Sequence, residues 1–186
     1  MPVQAPRRLF SVNEFHEMAD AGIFREDDRV ELLAGEIVEM TPIGSRHAAC
    51  VSRLNRLLHA QLGPECIVRV QDPVRLDDYS EPQPDMAVVK PRGDFYSGAH
   101  PTAADVLLVI EVADTYADAD RGEKAPLYAR SRIPETWIVD LDGHVVDVYG
   151  RPDINGYQQH QRFGPEDHLS SVKMPALTLS VADVVA

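Results

Sequence analysis

Two acids and a lysine in this chain stand where their chemistry invites explanation. Asp85 follows Pro82 and Pro84 and leads into the apolar run Met86–Val89. Glu111 comes directly after the apolar run Val106–Ile110. A carboxylate at the end of a buried strand costs free energy unless something uses it. Lys124 closes the segment "ADTYADADRGEK" and is one of only three lysines, against fifteen arginines, so it hints at a role arginine cannot fill. If the strands carrying Asp85 and Glu111 are neighbours, their carboxylates converge. Close carboxylates repel, and one takes a proton unless a cation sits between them. Hard divalent cations, Mg²⁺ or Mn²⁺, suit such oxygens. An ion held there polarises a phosphate and lowers the pKa of a water. A lysine nearby can orient that water or neutralise charge developing on the phosphate. Asp85 and Glu111 are the candidate metal ligands and catalytic groups, and whether Lys124 belongs with them is open from the residues alone.

Several elements must position these groups. "SVNE", Ser11 to Glu14, reads as a capping box before a short helix ending near Gly22. "RVELLAGEIVEM" reads as a hairpin turning at Ala34-Gly35. Val51, Leu54, Leu57, Leu58 and Leu62 recur at three- and four-residue steps and predict a helix from Ser45 to a stop at Gly63. "CIVRVQDPVRL", "QPDMAVV" and "DVLLVIEVA" read as strands, the last two buried on both faces. "GEKAPLYARSR" reads as a helix in which Pro126 suits only the first turn, so the helix either begins near Lys124 or kinks there. "TWIVDLDGHVVDVYG" reads as two strands joined at Asp142-Gly143, followed by a strand at "NGYQQHQRF" and a short terminal helix in "LSVADVVA". The order predicts one α/β domain over residues 1–186. Its core is helix, three strands, helix, strand in a mixed sheet, flanked by N- and C-terminal β-hairpins.

Accessory candidates lie beside the turn and on the long helix. Glu36 follows the hairpin turn and Glu31 precedes it. Either could bring a third acid, with Glu36 the stronger candidate. His47, in the first turn of the helix, is a further accessory candidate. Arg46, Arg53 and Arg56 share one helix face opposite the leucines and could contact phosphate. The acidic stretch 114–123 lacks the alternation and closing glutamate of a calcium loop, though Asp120 could orient Lys124. The histidines show no zinc spacing, and there is neither a nucleophile elbow nor a Gly-rich phosphate loop.

These residues resemble the PD-(D/E)xK nuclease superfamily, with Pro84-Asp85 as "PD" and Glu111 as the second acid. The pattern places a lysine two residues after that acid, where this chain has Ala113. The segments "VELLAGEIVEM", "SRHAACVSRLNRLL", "QPDMAVV", "LLVIEVADTYADADRGEKAPLYAR" and "IPETWIVDLDGHVVDVY" are similar, in order, to the Uma-type restriction endonuclease family. The similarity covers roughly residues 10–180. In that family the lysine stands on the helix, within a "DRGEK"-like segment, which makes Lys124 its equivalent here. The resemblance implies a restriction-endonuclease-like fold, metal-dependent hydrolysis of phosphodiester bonds in DNA and a homodimer. A binding or structural module without useful catalysis, or a hydrolase of smaller phosphate esters, is the alternative expectation.

Composition bounds these readings. The formal net charge is -12, and residues 77–186 carry nineteen of the thirty acids. That argues against avid, non-specific nucleic-acid binding, which needs a basic surface, but tolerates an enzyme whose acids are offset by cations. The longest unbroken apolar run is far too short to span a membrane. The opening "MPVQAPRRLFSVNEF" has no apolar signal region, and Cys50 and Cys66 read as reduced thiols, so a cytoplasmic protein is expected.

Overall fold

The computed structural model describes residues 7–25, 27–114 and 120–186. Its centre is a six-stranded mixed sheet in the order β3-β4-β5-β6-β7-β8: β3 Ile67–Val70, β4 Met86–Val89, β5 Val106–Ala113, β6 Glu135–Asp140, β7 Val145–Asp153 and β8 Gly156–Phe163. Only the β5–β6 pair is parallel. A parallel pair needs a crossover. Here it runs through a π-helical turn, Asp120–Lys124, and the helix α3, Ala125–Arg130.

The two sheet faces are covered differently. Helix α2, Ser45–Leu62, lays Leu54, Leu58 and Leu62 on Met86, Val88, Leu108, Ile110, Val112 and Trp137. A small hairpin of β9, His168–Ser170, and β10, Thr178–Ser180, completes that layer with α4, Val181–Val185. On the opposite face Tyr128 of α3 and Ile133 pack on Ala87, Val89 and Val109. Side chains alternate along a strand. Leu108, Ile110 and Val112 therefore face α2, while Val109 and then Glu111 face α3.

At the N-terminal side, α1, Val12–Asp20, begins with a capping box formed by Ser11 and Glu14. β1, Val30–Leu33, and β2, Glu36–Glu39, form a hairpin that turns on Ala34 and Gly35, both at positive φ, 50° and 82°. Two positive φ values suit the tight turn between twisted strands, and glycine takes one of them without strain. The hairpin is tied to the segment before β4 by Glu81 N–H donating to the Leu32 carbonyl at 2.8 Å and Gly35 N–H to the Tyr79 carbonyl at 2.7 Å.

The core order and the mixed sheet are those expected from the sequence. Pro126 resolves as the first alternative, since the α-helix begins at Ala125 and the proline lies in its first turn. The C-terminal hairpin, β7 and β8, extends the central sheet. Two elements differ. The strand expected over "CIVRVQDPVRL" stops at Val70, because Gln71 takes φ 53° and turns the chain away. The β9–β10 hairpin went unread because three-residue strands show too little alternation.

Candidate functional site

The β4–β5 register pairs Met86 with Ile110 in antiparallel fashion. One residue further along, Asp85 stands opposite Glu111. The Asp85 N–H donates to Glu111 Oε2 at 3.3 Å, and the Val112 N–H donates to Asp85 Oδ2 at 2.9 Å. Each acid thus holds the other's strand. Glu111 lies within β5, two residues short of its end, with its side chain only 3% exposed.

Three other elements converge on this pair. The bend at Gln71 lets its side-chain amide donate to Asp85 Oδ1 at 3.1 Å. His47, in the first turn of α2, places Nε2 2.9 Å from Asp85 Oδ2. Tyr128, fully buried on α3, donates its hydroxyl to Glu111 Oε1 at 2.6 Å. Lys124, one helical turn before Tyr128, brings Nζ to 3.4 Å from the same Glu111 oxygen. Its nearer acidic partner is Glu31 Oε1, at 3.0 Å.

Glu31 reaches the site because the hairpin alternates. Leu32 faces the apolar cluster of Val12 and Phe15. Glu31 faces the other way, buried to 4% exposure, and its second oxygen accepts the Gln83 N–H at 3.0 Å. Glu36 stands apart from the cavity at the turn end of the hairpin. It is exposed there and paired with Arg7 at 2.8 Å. Of the two hairpin acids, the one ranked second from sequence therefore lines the site.

Glu31, His47, Gln71, Asp85, Glu111 and Lys124 line a cavity of about 450 Å³ between the hairpin, the start of α2, the end of β5 and the turn carrying Lys124. Its titratable lining comprises Glu31, Glu39, Asp85, Glu111, Asp114 and Glu123 against Arg29, Lys124 and His47. Burial raises the Asp85 carboxyl pKa, but hydrogen bonds from His47, the Val112 amide and Gln71 outweigh it and hold the group below its ordinary range. His47 moves the opposite way. Its bond to Asp85 raises its pKa against the lowering effect of burial. The bond thus favours the imidazolium–carboxylate form of the pair over the neutral one.

The donor set fits a hard divalent cation. Asp85 and Glu111 offer adjacent carboxylate oxygens, and Mg²⁺ is commonly bound through one or two carboxylates with waters completing its shell. Among the described residues no group of three or more His, Cys, Asp or Glu side chains is gathered for a metal. The acid surplus of the lining makes a cation favourable there and would repel a phosphate without one.

The arginine face of α2 is largely engaged internally. Arg46 pairs with Asp114 at 3.0 Å and Asp142 at 2.9 Å, and Arg53 donates to the Val184 carbonyl at 3.4 Å. Arg56 is exposed. The Asp120 side chain lies outside the described residues. Gln71 and Tyr128 are not among the sequence candidates, and Glu31 is the weaker of the two hairpin candidates. The four-residue step from Lys124 to Tyr128 was the signal that could have found the tyrosine, since it puts both on one helix face.

A comparison with curated proteins gives no match. Among solved structures the fold is similar to that described as "a putative nuclease belonging to DUF820 from Anabaena variabilis ATCC 29413", with a TM-score of 0.72 over 95% of this chain and 97% of that one. At 17% identity that likeness shows the fold alone, a mixed α/β architecture with a six-stranded sheet and flanking hairpins. The family model Uma2, described as "Putative restriction endonuclease", matches residues 12–182, and the chain belongs to that family.

Proposed function

We propose that the protein is a divalent-metal-dependent endonuclease that hydrolyses phosphodiester bonds of DNA. The observation that carries this reading is the meeting of Asp85, Glu111 and Lys124 at one end of β4 and β5, inside a single cavity. Asp85 and Glu111 would hold Mg²⁺ or Mn²⁺. When bound, the ion supplies Lewis-acid polarisation of the phosphate and a lowered pKa for the attacking water. Lys124 then orients the water or neutralises charge developing on the phosphoryl oxygens. Glu31 holds the Lys124 ammonium from the hairpin side. His47 and Gln71 keep Asp85 ionised and aimed. Tyr128 fixes the Glu111 carboxylate from below.

Family membership supports DNA as the substrate. The same reading takes the active form as a cytoplasmic homodimer, one site to each DNA strand, which rests on the resemblance to the nuclease superfamily alone. Nicking of plasmid DNA with and without Mn²⁺ tests the reading. Wild-type protein should cleave only with the ion. Cleavage should vanish in Asp85→Ala, Glu111→Ala and Lys124→Ala, and full wild-type activity in all three variants would refute the site.

A second reading is favoured by the low exposure of the carboxylates at the floor of a small acidic cavity. It is hydrolysis of a smaller phosphate ester by the same residues. Rapid turnover of bis(p-nitrophenyl) phosphate beside inert plasmid DNA would select it.

A further inference from the structure

The π-helical turn that presents Lys124 has few internal means of holding its shape. Gly122 has no side chain and lies in open space, and Glu123 is exposed. π-helical geometry is rare and occurs mostly as single turns, often at functional sites. Relaxation to α-helical winding would shift the register by one residue and swing Lys124 by roughly 100° about the axis. Something outside the turn must hold it.

Arg121 makes that connection. Its Nε donates to Asp147 Oδ2 at 2.8 Å, and its Nη2 donates to Asp140 Oδ2 at 2.8 Å. Nη2 also lies 2.7 Å from Asp147 Oδ2. Asp140 ends β6, and Asp147 stands on β7. The Asp147 side chain is wholly buried. It is gripped from the other side by Arg162, through Nε at 2.8 Å and Nη2 at 3.0 Å, and by His160 at 2.8 Å. His160 stacks on Tyr149 with ring centroids 4.5 Å apart. The acceptor is therefore built into the rigid part of the sheet and cannot follow the turn if the turn moves. A forked guanidinium bonded to two carboxylates also fixes orientation, which a single-point contact would not.

We propose that Arg121 is a positioning residue: its grip on Asp140 and Asp147 holds the π turn in the one winding that aims Lys124 at Glu31 and Glu111. The catalytic consequence rests on the nuclease reading above, but the placement of Lys124 does not.

The chain's three lysines make a direct test practical. Acetylation with an N-hydroxysuccinimide ester, followed residue by residue by mass spectrometry, reads how protected each amine is. Lys124 is 14% exposed and doubly ion-paired, whereas Lys90 and Lys173 are exposed and serve as internal controls. In Arg121→Gln the acetylation rate at Lys124 should rise roughly ten-fold or more, with the two controls within about two-fold of wild type. Arg121→Lys should restore part of the protection. Arg162→Gln removes a different partner of Asp147 and should leave Lys124 protected. Unchanged protection in Arg121→Gln overturns the proposal. So does equal exposure of Lys124 in Arg162→Gln, which would make the effect a general loosening of the Asp147 cluster. If Arg121→Gln raises all three rates together, the milder Asp140→Asn decides by the same criterion. In the cleavage assay, Arg121→Gln should lower kcat by about 100-fold while KM stays within about two-fold. The labelling needs no activity, so an inactive wild type would refute the nuclease reading while leaving the tether tested.

Discussion

Asp85 and Glu111 face each other across the antiparallel β4–β5 pair, and each backbone is bonded to the other's carboxylate region. Glu111 Oε2 accepts the Asp85 amide at 3.3 Å, and Asp85 Oδ2 accepts the amide of Val112, the residue after Glu111, at 2.9 Å. The two acids are thus fixed relative to one another by the sheet before any ion arrives. Preorganised ligands lose little freedom on binding. Calorimetric titration should therefore show Mn²⁺ binding to the wild-type protein near neutral pH. Asp85→Asn and Glu111→Gln should each abolish it. Undiminished Mn²⁺ affinity in both variants would remove these residues from the metal site.

Lys124 should behave differently from the acids. Its ammonium lies 3.4 Å from Glu111 and competes with a cation for that carboxylate. Lys124→Met should therefore stop cleavage yet bind Mn²⁺ as tightly as wild type or more tightly. A parallel loss of metal binding and activity would mean that the lysine shapes the site rather than acting in it.

Tyr128 is wholly buried and donates to Glu111 at 2.6 Å. Tyr128→Phe keeps the ring packed against Val109 and Ile133 but withdraws a donor from a buried carboxylate. Hydrogen bonds to charged groups carry about 1.5–3 kcal/mol, so urea unfolding should report a loss on the order of 2 kcal/mol. A variant as stable as wild type would indicate that the Tyr128 bond adds nothing to what the Asp85 amide and Lys124 give Glu111.

Asp147 gives the fold an acid-sensitive contribution. Burial raises its carboxyl pKa, but bonds from Arg162, His160 and Arg121 prevail and take it from 3.8 down to about 2. A depressed folded-state value stabilises the protein above the unfolded value, and that stabilisation is lost as pH falls through the folded one. It amounts to about 2 kcal/mol at neutral pH and fades between about pH 4 and about pH 2. The stability difference between wild type and Asp147→Asn, measured by urea unfolding, should shrink across that window. A difference independent of pH would contradict the assignment.

Much of this arrangement is legible in one dimension because it depends on local chemistry. The leucine spacing from Val51 to Leu62 requires a helix, and α2 runs over the expected Ser45–Leu62. The unbroken apolar runs before Glu111 and after Asp85 require strands buried on both faces. Pro126 places the start of α3, since a proline has no amide to donate and fits only a first turn. With β4 and β5 as neighbours Asp85 and Glu111 converge, and a strand–helix–strand crossover brings the helix start with Lys124 back over the sheet, but it is the family resemblance that singles these three out.

What the chain alone left open is which side chains from distant segments fill the space around the dyad. Glu31 and Glu36 stand on either side of one turn, and the sequence alone favours Glu36. Only the docking of the hairpin on residues 79–83 sends Glu31 into the cavity and leaves Glu36 beside Arg7. Gln71 joins the site through a backbone bend at positive φ that nothing in "RVQDP" announces. Arg121 finds Asp140 and Asp147 only after β6 and β7 pair. Side-chain type and spacing determine the elements, since those depend on neighbours a few residues away. The set of groups that meet at one point depends on register and on the packing of elements far apart in the chain, and only the tertiary structure decides that.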